Sequence, residues 1–501
     1  MINIHLHCQN SRHFLCSYET YIVDYFSFSN FFGLGRSTKN GTNTSYFLSN
    51  LPQRYRLNPA YQPEYNAFVG LPALSGIGIN YLNGSFAAED FLVKRDDSVY
   101  MNVDKLYKQL RKHNFMMLNE ELSVLSVGFR VKSWYATLDI TQKADILFRF
   151  NKDIFTFLKY GNSDYPNMDF GKLGLNANAY LEVALGLSKK VNDKLTVGLR
   201  LKYLVGVANL HMTDSELGIK TRDDGTILMH SRQNIKLTAP VHILNDETGQ
   251  PFAMDEPMNW DDIDFNTDGI GVSDILNTKN PGFAIDLGGE YQFSDRINFF
   301  ASITDLGFIR WKNEEYTYNL QQDSEFEWKG ADISGAISGN DNSMNDAFED
   351  MVDSLKNDFR VHNVEAKYTT MLNTKIFLGA TYELNKMFNV GGVLRASFID
   401  GMFFPALTAS ANARFIRNVS ASVAYTMTRR SGANLGIGLT AKLGPLQLYL
   451  QTDNILAVNY TKTKAVNARF GINLLFGHKD KRNKVKENQG GGASVVSIAM
   501  K

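Results

Sequence analysis

Cysteine is confined to Cys8 and Cys16, and none follows over the rest of the 501 residues. That excludes a disulfide framework or a cysteine-rich metal site from the body of the protein, and it suits a chain that crosses an oxidising compartment. Net charge is missing too. The 52 Lys and Arg balance 52 Asp and Glu, so no overall field favours nucleic acid or an acidic substrate. No apolar run reaches the roughly 18 residues of a membrane helix, and mean hydropathy is −0.24, which excludes a helical span. A β-barrel span survives, because polar residues occupy half of each barrel strand and average the hydropathy away. The Gly-x-Ser-x-Gly, His-Glu-x-x-His and phosphate-loop patterns are also absent, so no catalytic residue, no enzyme activity and no cofactor is assigned.

What the chain does have is alternation. In "GFAIDLGGEYQFSDRINFFASITDLG", residues 282 to 307, Phe283, Ile285, Leu287, Tyr291 and Phe293 fall on one side of a strand. Ala284, Asp286, Gly288 and Glu290 fall on the other. Ile297, Phe299, Ala301 and Ile303 begin a second run, so the segment reads as a hairpin with one apolar face. The same period recurs from about residue 66 to Phe476. Leu181, Val183, Leu185 and Leu187 alternate with Glu182, and Val197, Leu199, Leu201 and Tyr203 oppose Arg200 and Lys202. Later runs oppose Leu407 to Phe415 against Arg414, and Val466 to Phe476 against Arg469.

Short joints such as "VNDK", "FSDR", "LNKM" and "LGP" suit hairpins between neighbouring antiparallel strands. The expected fold is therefore all-β: a closed antiparallel transmembrane β-barrel of about 14 strands, within limits of about 12 and 16. Parity asks for one more crossing between Leu306 and His362, and "YTYNLQQDSEFEWKG" is the candidate. Two insertions interrupt the barrel, an acidic one at 240–281 and a second at 331–360. The second carries Phe348, Met351, Val352, Leu355 and Phe359 at helical spacing, an apolar face that caps the barrel or docks a partner. A shorter helix is expected within 102–114. Residues 478–501 read as a disordered polar tail.

A soluble sandwich also alternates. Three features favour the barrel: too many consecutive hairpin-linked strands for one sandwich, a polar face rich in Gly, Ser, Asn and Thr with single charges, and aromatics near the ends of runs.

"NTSYFLSNLPQRYRLNPAYQPEYNAFVGLPALSGIGINYLNGSF", "GFAIDLGGEY", "ASITDLGFIRW", "LGPLQLYLQTDNIL" and "RFGINLLFG" come in the order of blocks in an uncharacterised outer-membrane family of Bacteroidota. The chain resembles that family over roughly 43–477, and the family is similar to fatty-acid-transporter-type barrels and to the barrel subunit of type IX secretion. The resemblance implies an outer-membrane location, and it implies that residues 43–65, with Asn58, Pro59 and Ala60, form a lumen plug or a plain lead-in to the barrel at 66–477. Asn and Pro also suit the start of a short helical turn there. Residues 1–42 show no clean export signal where the family carries one. They read as a non-homologous leader or a misassigned start, the second being preferred.

Charges on the small-residue faces are the candidate binding groups: Glu182, Arg200, Lys202, Asp286, Glu290, Glu383, Arg395, Arg414, Lys442 and Arg469. Facing a lumen, they would either pair across strands and fill the barrel, the favoured reading, or line a path for solute. "DFNTDG" gives Asp264, Asn266, Asp268 and Gly269 the spacing that opens a calcium loop, but Ile275 stands at position twelve and Asp274 one place short. A solvated acidic loop is favoured there. His5, His7, Cys8, His13 and Cys16 fit no compact zinc site. The expected partners are a lipid bilayer, a small hydrophobic molecule and other envelope proteins, with no nucleic acid. The expected role is passage or binding of that solute; the alternative is a structural or partner-binding barrel serving secretion or the envelope.

Overall fold

A computed structural model describes residues 43–478 apart from 49, 96–97, 163, 246–248, 254–256, 277, 330–357, 365–366, 416–417, 429–431 and 456–462. The leader with its His/Cys cluster, the tail after His478, and Phe348, Met351, Val352 and Leu355 lie outside the described residues.

Period-two alternation is realised as fourteen antiparallel strands closed into one barrel. β1 comes in two pieces, Tyr65–Gly70 and Ile77–Asn83. β2 is His113–Val131, β3 Trp134–Asn151, β4 Gly174–Lys190, β5 Leu195–Thr221, β6 Pro281–Gln292 and β7 Ile297–Trp311. β8 again has two pieces, Tyr368–Met371 and Lys375–Glu383. Then follow β9 Phe388–Ile399, β10 Met402–Phe415, β11 Val419–Thr428, β12 Gly432–Leu443, β13 Leu446–Thr452 and β14 Ala465–His478. Closure is made by β1, where Ala67 pairs with Phe129 on one side and with Phe476 on the other.

The connections are unequal. At one end β2–β3, β4–β5, β6–β7, β8–β9, β10–β11 and β12–β13 are joined by short turns. The other end carries residues 84–112 with helix α1 (Val103–Gln109), residues 152–173 with helix α2 (Asp153–Tyr160), and the ends of the strands that the β5–β6 and β7–β8 connections join. Asn102 caps α1 by accepting from the Lys105 amide at 2.9 Å. The turn at this end between β9 and β10 is only Asp400-Gly401, both at positive φ (48° and 71°), as a two-residue hairpin requires.

The candidate extra crossing is not one. Thr317–Trp328 is a strand, but it pairs with Ile227–Thr238, which pairs in turn with the far half of β5. The reason is length. β5 has 27 residues, roughly 90 Å at ~3.3 Å each, where ~9–11 suffice to cross. Its far half projects beyond the barrel and offers an edge, which these two strands extend. β7 therefore meets β8 directly, with Ile303 opposite Ile376.

The two faces separate as the alternation requires. Leu185, Leu199, Leu201, Phe283, Leu287 and Tyr291 are exposed on the outside, whereas Glu182, Arg200, Lys202 and Asp286 are buried inside. Bulges interrupt this in β2–β3, β4–β5 and β6–β7, and the last shapes the interior. Leu287 pairs with Ile303 and Ile285 with Leu306, so Asp286 faces Thr304 and Asp305 together. Asp305 adopts φ 57°, a sparsely populated conformation for a residue with a side chain, and both Thr304 and Asp305 turn inward. The Asp305 amide donates to Asp286 Oδ1 at 2.7 Å, which fixes the bulge.

Toward the long-loop end the inner face becomes apolar. Leu82, Phe115, Met117, Leu147 and Ile399 form one cluster, with Phe115 and Phe404 meeting edge to face at 5.3 Å between ring centres. Tyr180, Leu204, Ile309, Trp311 and Leu372 form a second.

Candidate functional site

Residues 43–62 run down the inside of the barrel before β1 begins, touching strands from almost every part of the wall. Thr44 donates from its amide to Asp453 at 3.0 Å, and its hydroxyl bonds the same carboxylate. Tyr46 stacks on Phe300 at 4.5 Å between ring centres and bonds Ser302 at 3.1 Å. Gln53 donates to Asn473 at 2.6 Å, and Gln447 donates to the Asn50 carbonyl at 2.8 Å. Near the short-turn mouth, Gln62 donates to the Ser133 carbonyl at 3.0 Å.

Asn58, Pro59 and Ala60 sit against β5 and β6. A Cβ at Gly198 would lie 2.1 Å from the Pro59 carbonyl, and one at Gly288 would lie 2.0 Å from Asn58 Oδ1. Only glycine lets the segment approach this closely. Asn58 Nδ2 donates to the Gly289 carbonyl at 3.2 Å, and Ser302 donates to the Leu57 carbonyl at 2.6 Å. The motif opens a single turn and no helix: Asn58 Oδ1 accepts from the Ala60 amide at 3.0 Å and its carbonyl accepts from Tyr61 at 2.9 Å, while a short 3₁₀ helix lies upstream at Pro52–Arg56. Pro63 disfavours helical backbone at Gln62, which ends any helix before it could grow.

Mid-lumen, the segment joins a buried ion-pair network. Arg56 reaches Asp139 at 2.8 Å and Glu121 at 2.9 Å, and Tyr55 donates to Asp139 at 2.6 Å. Burial pushes the Tyr55 phenol far above its ordinary range and the Asp139 carboxylate pushes it further, so it remains a donor. For Arg56, burial opposes the charge, but the Asp139 and Glu121 carboxylates outweigh it. Arg200 bonds Asp286 at 2.8 Å and Asp139 at 3.1 Å. Lys202 reaches Asp286 at 2.7 Å and Asp305 at 2.6 Å. Lys143 pairs with Glu182 at 2.6 Å, Lys375 with Asp305 at 2.9 Å, and Arg469 with Glu121. A cavity of about 140 Å³ remains among these side chains.

Of the charges singled out from the sequence, Glu182, Arg200, Lys202 and Asp286 converge here, and Arg469 joins through Glu121. The others stand apart. Arg395 is buried higher up and donates to Asn43 at 3.2 Å. Arg414 pairs with Glu64 at 3.0 Å, with both side chains about one-third exposed, and Lys442 lies 4.7 Å over the Tyr65 ring. Glu290 is half-buried and Glu383 is exposed near the short-turn end. Asp264 and Asn266 stand on the strand Ile263–Asn266, paired with His242–Asn245, rather than in a calcium loop; Asn266 accepts from the Asp268 amide at 2.6 Å. Among the described residues no group of three His, Cys, Asp or Glu is placed to hold a metal.

Sequence reasoning passed over Arg56, Asp139, Lys143, Asp305 and Lys375. Asp139 and Lys143 had a signal: Thr137, Asp139, Thr141, Lys143 and Asp145 share one face of β3. Asp305 had none in the alternation, because the bulge breaks the period at that residue.

On the long-loop side of the network lies a larger cavity of about 350 Å³. Met117, Leu147, Leu372 and Ile399 supply apolar walls, drawn from both inner clusters. Asn119, Asp145, Asn176, Asn178, His211 and Thr370 supply polar ones. The two cavities share Asn119, Asp145 and Asn373. This volume and mixed lining fall in the range of small-molecule sites.

Comparison with curated proteins gives no match. Among solved structures, the CymD monoaromatic hydrocarbon channel is similar over 89% of this chain and 96% of its own, at 10% identity and a TM-score of 0.37. The toluene transporter TodX of Pseudomonas putida is similar over 88% and 94%, at 8% identity and 0.34. A FadL homologue of Pseudomonas aeruginosa is similar over 88% and 97%, at 11% identity and 0.36. With TM-scores below one half, any reading of function has to rest on this chain's own geometry. The model of a family of unknown function, DUF5723, matches residues 59–453, a narrower span than 43–477 but most of the chain, and the protein belongs to that family.

Proposed function

We propose that this chain is an outer-membrane β-barrel that takes a small, mainly apolar solute from the long-loop side into the 350 Å³ cavity, above a lumen closed by residues 43–65 acting as a plug. The cavity is the observation that carries the reading: it joins apolar walls to a few polar groups and lies directly above the ion-pair network. The closed barrel with an apolar outer face supports the membrane location, since a closed barrel leaves no sheet edge and only lipid suits such a surface.

Leu201→Arg tests the location. Leu201 is 56% exposed on the outer face. An arginine near the bilayer midplane costs ~2–4 kcal/mol, whereas on a water-exposed sheet it costs within ~0.5. A fall in unfolding midpoint of that larger size in bilayers is the expected outcome, and no fall would sink the membrane reading.

For the solute, the natural reporter is Trp311. It is fully buried and donates to Thr370 Oγ1 at 2.8 Å, and Thr370 lines the cavity. With Trp134, Trp260 and Trp328 changed to Phe, saturable quenching of Trp311 by an ω-brominated octanol is expected. A flat titration would favour the second reading, a structural or partner-binding barrel, which the filled mid-lumen supports.

A further inference from the structure

We infer that the cavity selects by charge, accepting neutral and cationic apolar solutes and rejecting carboxylates, with Asp145 as the determinant. The inference rests on the solute reading above and names the class of molecule. Among the described residues no Lys or Arg lines this cavity, and His211 is its one basic side chain. Two carboxylates line it, and only one enters an ion pair: Asp400 pairs with Arg149 at 2.8 Å. Asp145 accepts from Asn119 Nδ2 and enters no ion pair among the described residues. The nearest lysines belong to the floor and are engaged there. Lys143 holds Glu182 and Asp305, and Lys375 holds Asp305.

Asp145 also occupies the junction of the two cavities, so a solute moving down meets its carboxylate before it meets the network's cations. A terminal hydroxyl of the solute donates to the Asp145 carboxylate, and an ammonium pairs with it directly. An anionic head would stand in a partly desolvated space beside a like charge that enters no ion pair among the described residues.

The experiment uses ω-brominated octanol, octylamine and octanoate on the full barrel with Trp311 as its only tryptophan, at neutral pH in one detergent. The alcohol and amine are expected to quench saturably, and octanoate to bind at least about tenfold more weakly. Asp145→Asn should bring octanoate to within about threefold of the alcohol and weaken the amine about tenfold. Asn373→Lys, at the same junction, should raise octanoate above the alcohol, and it carries the test if Asp145→Asn fails to fold. Octanoate binding as tightly as octanol in the unaltered barrel, or an order of preference unmoved in both variants, overturns the charge selection alone. Quenching by none of the three overturns the solute reading itself, and this inference with it.

Discussion

Gly198→Val is expected to unseat the segment inside the barrel. The added Cβ would lie 2.1 Å from the carbonyl of Pro59 and 2.4 Å from the amide of Ala60, both backbone atoms that no rotamer change can move. The wall cannot yield either. Gly198 pairs with Ser188 on one side and Gly288 on the other, in ladders that run nearly the length of β4 and β6. The segment must therefore give, taking with it the Asn58–Gly289 and Ser302–Leu57 hydrogen bonds. An overpacking cost of ~3 kcal/mol corresponds to a population shift of about a hundredfold. The measurement is tryptic cleavage at Arg54 and Arg56 from the short-turn side, together with conductance in planar bilayers. Cleavage about a hundredfold faster and a new open level are expected. A folded Gly198→Val barrel that stays as protected and as closed as the unaltered protein would show that the segment does not close the lumen.

The second large effect belongs to Asp139. It is fully buried and takes hydrogen bonds from Tyr55, Arg56, Ser126 and Arg200. Asp139→Ala leaves two guanidinium groups short of a partner in the lumen. Removing one member of a buried pair costs about 3–5 kcal/mol, mostly the penalty of the stranded charge. The temperature at which the compact gel band converts to the unfolded band should fall accordingly. Arg414→Ala is the internal comparison. Its pair with Glu64 is partly solvated, so at most ~1 kcal/mol is expected. Equal losses in the two variants would mean that the network does not act as a unit.

Much of this architecture was legible because it is local. Period two over Leu195 to Tyr203 or Leu407 to Phe415 needs only the chain's own pleat, and so do the short hairpins. A barrel of about fourteen strands, within limits of about 12 and 16, followed from counting, and the outward apolar face from the small, polar composition of the other face. Thr317–Trp328 misled the count for a non-local reason: it alternates like a barrel strand, but its partner is Ile227–Thr238, which itself pairs with the projecting half of β5. Asp305 escaped because a bulge is decided by what lies opposite, here Asp286. Asn58-Pro59 was legible as a capping pair but not as a docking contact, since Gly198 and Gly288 lie far along the chain.

The alternation of apolar and polar residues determined that this chain makes strands, how most of them connect and which face turns outward, because away from a bulge side-chain direction along a strand depends on sequence position. Only the tertiary structure decided that Arg56, Asp139, Arg200, Asp286 and Asp305 meet in one network, and that a cavity remains above them. Charges of one sign or the other stand on the inner faces of many strands. Which of them pair depends on strand register, the bulge in β7 and the path of residues 43–62, and each of these is set by contacts between residues distant in the chain.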